Sequence, residues 1–330
     1  MNAESKRLTS TEITSLCAQY HQDTLAVCVA KHVLATVTDA EIRSLFGFSL
    51  KLSEKHIELL TAIFRAEHFP LPNGFTDEDV DLHAPPLFTD SFWLKYLHDM
   101  TIHGLSGYGI SFSVSIRRDI RDYYHQCNLD AMEIYNRSLD LLLAQNLYVP
   151  APYFLTPKKQ ESITDLSYAL DFVGKQRLLN ANEAGNIYFN LRKSMVTKAL
   201  LIAFKQVSKR KDVRKVMETG LDVAHKHIEL YSSIMHEENL HTPPLLDNEI
   251  TTSTHAPFSE KLMTFHAGAM FKVAITYYAT AMTTSMRLDI VGHCEACILR
   301  DLKVAGRCSE VMIKNGWIEK PPEASDRKEV

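Results

Sequence analysis

The sequence predicts an all-α protein made of two copies of one four-helix bundle. Three observations carry this. The chain repeats itself: Lys55-His56-Ile57-Glu58-Leu59 returns as Lys226-His227-Ile228-Glu229-Leu230, 171 residues later. Around it, Leu8 to Ile13 lines up with Leu179 to Ala184, Ala84 to Asp90 with Ala256 to Glu260, Ser115 to Ile120 with Ser285 to Ile290, and Leu147 to Pro152 with Trp317 to Pro322. Next, apolar residues recur three and four positions apart over long stretches, the period of a buried helix face. Finally, 12 Gly and 12 Pro in 330 residues are too few for an all-β chain with many tight turns. A period near 170 is too long for a solenoid unit and means a duplicated domain. The first copy takes residues 1–150, a linker 151–178, and the second copy 179–330.

Each copy reads as four long helices. In copy one the first runs from about Thr9 to Val37 and opens on Ser10-Thr11-Glu12, suitable capping residues. Asp39 can cap the second, which reaches about Glu67. His68 to Leu87, rich in Pro, Gly and Asp, has no period of its own. The third helix starts near Phe88 or Thr89 and runs to about Ser115. Asp119 can cap the fourth, which ends at Asn146 before Pro150 and Pro152. Counting the period puts Ile42, Leu45, Phe46, Ser49, Leu52, His56, Leu59, Leu60 and Ile63 on the seam of the second helix. On the third it selects Trp93, Leu97, Met100, Gly104, Gly107 and Val114.

Link lengths choose the topology. Tight links make helices 1 and 2, and 3 and 4, antiparallel hairpins. The middle link of about 20 residues can stretch roughly 60 Å, longer than a 28-residue helix at about 42 Å. It can therefore start the third helix at the far end of the bundle. One long crossover per bundle is the ferritin-like arrangement. Copy two repeats the layout, with its crossover near Asn239 to Pro257.

Charge and composition exclude several functions. Thirty-six basic against 40 acidic residues give −4, so no strong field draws the chain to nucleic acid or an anionic membrane. Ala267 to Met282, the longest mostly apolar stretch, contains Lys272 and is shorter than the roughly 20 residues that span a bilayer. Met1 to Leu8 has no apolar core of a secretory signal. Six cysteines inside helical patterns read as reduced thiols, which places the protein in the cytoplasm. Walker, dinucleotide and nucleophile-elbow motifs are absent.

With these motifs in view, the chain resembles a family of uncharacterised proteins from spore-forming bacteria related to Bacillus. The resemblance is carried by Pro72 to Val80 (PNGFTDEDV), Ala84 to Asp90 (APPLFTD), the paired Arg-x-Asp turns, His255 to Met263 (HAPFSEKLM) and Gly316 to Pro322 (GWIEKPP). It covers nearly the whole chain. It implies a duplicated ferritin-like domain and a spore-coat-like or sporulation-associated role. It implies no catalytic residue, since the family has no established activity.

A ferritin-like bundle invites a search for a dinuclear metal site, which needs Glu on two helices and Glu-x-x-His on two more. No helix here has Glu-x-x-His; Asp122-x-x-His125 and Asp222-x-x-His225 come nearest. Counting from the helix starts puts His21, His56, His103 and Asp130 or Glu133 at one height in copy one, a layer that could hold zinc or another transition metal. A hydrogen-bonded polar layer is the favoured alternative, since only His56 and His227 persist in both copies. The copy-two equivalents read as Arg192, His227, Val273, Arg300 and Lys303, unsuited to a cation. Gly104, Gly107 and Gly109 allow close helix approach or leave room for a ligand, close packing being favoured; Gly268 reads the same way. Cys294-Glu295-Ala296-Cys297 has redox spacing but lies within a helix, where its thiols gain no activation. Lys205 to Lys215, with six basic residues, could meet a phosphate-rich partner but reads by default as a solvated bundle end.

The resulting expectation is a non-enzymatic structural or interaction protein, self-associating or bound to a protein partner and associated with the spore. The first alternative is a metal-binding degenerate oxidase using the copy-one layer. The second is a binder of small apolar ligands beside the glycines. Apart from that metal, no cofactor is expected.

Overall fold

The computed structural model describes residues 7–169 and 177–324. Residues 170–176 of the expected linker lie outside them. The described residues form eight α-helices: α1 (Ser10–Thr36), α2 (Ala40–Ala66), α3 (Asp90–Ser113), α4 (Arg118–Ala144), α5 (Ala181–Val207), α6 (Lys211–Glu237), α7 (Glu260–Thr284) and α8 (Leu288–Lys314). Short 3-10 turns sit at Asp77–Asp79, Leu166–Tyr168 and Asp247–Glu249. The fold is all-α and built from two copies of one helical bundle. In each repeat two hairpins are joined by a long crossover.

Local chemistry fixes the helix ends. Thr9 and Glu12 form a reciprocal capping box at α1, as Asn180 and Glu183 do at α5. Asp39 caps α2 with bonds to the Glu41 and Ile42 amides, as the sequence indicates. Asp119 does not cap α4. It lies inside the first turn and pairs with Arg117, the residue at the cap position. The backbone amides of Ile116 and Arg117 instead donate to the Glu12 carboxylate on α1, at 3.0 and 2.9 Å. The same device recurs at each hairpin turn. Asp90 accepts from the amides of Thr38 and Asp39, Glu183 from Met286 and Arg287, and Glu260 from Lys209 and Arg210. A carboxylate from a neighbouring helix thus satisfies the orphan donors and the positive end of the helix dipole. The Lys205 to Lys215 turn is therefore pinned by Glu260 as well as solvated.

The crossovers hold the repeats together. Val80 bridges Phe258, and Phe88 bridges Ile250, two pairings that exchange under the repeat. Asp79 accepts from the α7 cap Ser259 at 2.5 Å. Its counterpart Glu249 accepts from the α3 cap Thr89, from Ser91 and from Lys95. Gly74 sits at φ 58°, and a Cβ there would lie 2.7 Å from Thr24 Oγ1, so only glycine suits that bend. Each repeat also sends its tail onto the other: Val149 accepts from Tyr188, while Glu319 binds the Asn73 amide and His21. The main hydrophobic core is continuous through both repeats, including Trp93, Phe92, Phe204, Phe271 and Tyr278. A smaller cluster of Leu16, Tyr20, Leu60, Phe64, Ile120, Tyr123, Tyr124 and Cys127 lies apart from it in repeat one.

Candidate functional site

The separation of that second cluster has a cause in side-chain volume. Equivalent positions lie 171 residues apart on the first two helices of each repeat and 170 apart on the last two. Ala18, Ala30, Thr101 and Gly107 thus correspond to Phe189, Leu201, Phe271 and Tyr277. In repeat two, Phe271 and Leu201 close over Gly220, where an added Cβ would lie 3.0 and 3.2 Å from them. Phe189 and Tyr277 meet edge-to-face with ring centroids 4.9 Å apart. Repeat one lacks all four bulky groups. Between its helices remains a cavity of about 460 Å³, walled by Leu25, Val29, Phe46, Leu52, Met100 and Ile134, with Met270 and Val273 of α7 on one side. A pocket beside His227 in repeat two measures about 10 Å³.

One side of the cavity is polar. His56 of α2, 4% exposed, places Nε2 3.2 Å from Asp130 Oδ2 on α4 and Nδ1 3.5 Å from Asp23 Oδ1 on α1. Gln19 donates to Asp23 at 2.6 Å and to the Tyr108 hydroxyl at 3.2 Å; Gln126 donates to Asp130 at 2.8 Å. Burial alone would discharge the imidazole. The Asp23 carboxylate and the Cys127 side chain beside the ring outweigh it and hold the pKa up at about 11. Repeat one therefore buries an imidazolium between two carboxylates.

The matching layer of repeat two is neutral. Ser194 stands where repeat one has Asp23 and bonds Tyr278 at 3.1 Å; Tyr278 bonds His227 Nδ1 at 3.1 Å. Burial, helped by the Arg300 charge, pushes His227 down to about 3. Burial pushes Asp301 up to about 8 against the pull of Arg300. A neutral imidazole and a protonated carboxyl face each other 3.6 Å apart.

The five sequence-selected residues divide. His56 and Asp130 meet, and His103 lines the same cavity from α3, its ring against Tyr277. His21 turns to the seam between repeats: its ring stacks on Phe265, and Nε2 lies 3.2 Å from Glu319. Two residues along a helix is about 200°, so His21 faces away from the side that Gln19 and Asp23 share. Glu133 is exposed and pairs with Arg137 at 2.7 Å. Among the described residues no three His, Cys, Asp or Glu side chains converge to hold a metal ion. In repeat two, Arg192 does not face His227; it leaves the bundle to pair with Asp99 of repeat one at 3.0 Å, and Asp301 rather than Arg300 approaches His227.

Helix height alone does not select Asp23, Gln19 or Tyr108. The available signal was the repeat itself, since Tyr108 and Tyr278 recur together with His56 and His227. The glycines also differ from expectation. A Cβ on Gly107 or Gly109 would meet nothing within 4 Å, so close packing does not require them, whereas Gly268 does face Cys308 Cβ at 3.0 Å. The third-helix seam loses burial past Gly104: Gly107 and Val114 are exposed. The Cys294 and Cys297 thiols are buried, and burial pushes Cys297 up to about 12, away from thiolate chemistry.

Fold and cavity together define a duplicated helical-bundle protein with one hollow repeat. The chain belongs to the family described as "protein of unknown function (DUF3231)", whose profile matches residues 1–159 and again 167–330. No curated protein matches it. Among solved structures it is similar to a protein of Bacillus halodurans C-125 provisionally named a spore coat protein. The two are 15% identical, with a TM-score of 0.42, over 47% of this chain and 100% of that one. Among the described residues no helix is long and apolar enough to cross a membrane.

Proposed function

We propose that the chain is a non-enzymatic binding protein that holds a small molecule inside its first repeat. The observation that carries this is the cavity of about 460 Å³, present where repeat two is filled. Its volume lies in the range of small-molecule sites, which are mostly apolar with a few convergent polar groups. At about 30 Å³ per water it is far larger than a buried-water site. The polar layer argues against His56 as a general base. An imidazolium whose two nitrogens both face carboxylates has no lone pair with which to take a proton.

The test is native mass spectrometry of the full chain purified without a metal-binding tag, set beside Ala18→Phe/Gly107→Tyr, which transplants the side chains that fill repeat two. Wild type is expected to carry or take up a small organic molecule that the double variant does not. Equal occupancy in both would overturn the reading. Elemental analysis of the same samples tests the transition-metal reading of the layer, which requires metal that is lost in His56→Ala and kept in His227→Ala. A spore-associated role is supported by the family resemblance in the crossover motifs; immunodetection through sporulation tests it.

A further inference from the structure

We infer that the ligand is an amphipathic cation: an apolar body in the cavity with one ammonium group at Asp23 and Asp130. This rests on the binding reading above and adds the head-group chemistry. Two carboxylates against one imidazolium leave one negative charge in a largely buried layer. None of the described residues that line the cavity is a lysine or arginine. Lys193, which lies toward repeat two, is held 3.8 Å from Asp99. Burial keeps the other two imidazoles on the wall, His103 and His266, uncharged. An excess buried charge of one sign is costly until a counter-charge enters. An ammonium would supply it. A carboxylate head would add a second negative charge.

The geometry leaves room for that contact. A carboxylate offers about four lone-pair sites. Asp130 uses one oxygen for His56 and the other for Gln126; Asp23 likewise serves His56 and Gln19. Tyr108 lines the cavity beside this layer, its ring perpendicular to that of His56. The wall opposite points to a ligand as well: buried His266 lines the cavity, and its Nδ1 has no hydrogen-bond partner. The way in lies between α1 and α3. The exposed members of the lining are Thr14, Ala18 and Gln22 on one helix and Gly107 and Ile110 on the other. Phe189 and Tyr277 occupy the matching positions in repeat two.

The experiment is calorimetric titration of the full chain at pH 7 with n-octylamine, n-octanol and octanoate, equal in chain and different in head. Octylamine is expected to bind at least about tenfold tighter than octanol, with octanoate the weakest. Asp23→Asn/Asp130→Asn should erase the ammonium preference and keep octanol binding. His56→Gln, which leaves both carboxylates, should enlarge the preference. Octanoate binding as well as octylamine, or a preference unchanged in the Asp variants, overturns the head-group inference. If Ala18→Phe/Gly107→Tyr still abolishes octanol binding in that case, the cavity reading survives. If wild type binds none of the three, both fall.

Discussion

Repeat two and repeat one share a plan and differ in filling. Both have the capping box on the first helix, the carboxylate pins at the hairpin turns, the paired crossovers, and a buried histidine beside a tyrosine. Repeat two places Leu201 and Phe271 in the middle of its bundle and a serine beside its histidine. Repeat one places Ala30 and Thr101 there, with an aspartate in the serine's position. A handful of side chains thus separates a packed neutral core from a hollow charged one, while the backbone frame stays the same. The frame is specified at helix ends and crossovers, so the interior of one copy can change without loss of the fold.

The comparison breaks most visibly if the filled repeat is emptied. Leu201→Ala with Phe271→Thr gives repeat two the small residues of repeat one. Buried Leu→Ala and Phe→Ala changes cost about 2–5 kcal/mol each. Because both residues cover Gly220, their effects should fall short of the sum. We expect a loss of several kcal/mol in urea denaturation. Ala30→Leu with Thr101→Phe in repeat one should cost less than about 1.5 kcal/mol or stabilise, and should abolish ligand uptake. Equal losses from the two double variants would mean that repeat one has no usable space.

The charge states sharpen the comparison through pH. His56, held at about 11, faces Asp23 from α1, Tyr108 from α3, and Asp130, Cys127 and Tyr123 from α4. Its folded pKa lies above the ordinary 6.5, so its stabilisation is complete below about 6.5 and is lost as pH rises toward 11. His227, at about 3, faces Tyr278 from α7 and Asp301, with Arg300 near, from α8. Its folded pKa lies below the ordinary value, so its contribution is complete above about 6.5 and is lost as pH falls toward 3. Asp301, raised to about 8, loses its contribution as pH climbs from about 4 to 8. The interval above pH 8 therefore separates His56 from that group. His56→Gln and His227→Gln should each cost about 1–3 kcal/mol near neutrality. The first should flatten the alkaline limb of the denaturation midpoint against pH, the second the acid limb. The same limb flattened by both would end the assignment of opposite charge states.

How much of this was legible in sequence follows from what each feature is made of. Helices, hairpins and crossovers are local and periodic, so they were readable: Asp39 caps α2 as expected, and the helices end within a few residues of their predicted bounds. The turn capping was not, because Glu12 serves a helix more than a hundred residues away. The polar layer was half legible. Height along the helices selects His56 and Asp130, but height ignores rotation, which turns His21 outward and Asp23 inward. The cavity is missing volume, which no motif announces; Gly107 and Ala18 mark it only when set against Tyr277 and Phe189.

The smallest effect tests those glycines most directly. A helix-interior glycine costs up to about 1 kcal/mol against alanine through backbone entropy, wherever the methyl has space. At Gly107 an added Cβ meets nothing within 4 Å, because the helix borders the mouth of the cavity. Gly107→Ala should therefore raise the thermal midpoint by the few degrees that about 0.5–1 kcal/mol gives. Gly268, on the equivalent helix of the packed repeat, faces Cys308 Cβ at 3.0 Å, an atom tied to the α8 backbone and unable to swing aside. There the helix must shift or the contact must strain, so Gly268→Ala should lower the midpoint despite the same gain in propensity. Opposite signs at these two positions would show, without any ligand, that repeat one is open where repeat two is closed. A gain at both would mean that α7 and α8 have slack, and a loss at both would mean that the first repeat is closed around Gly107.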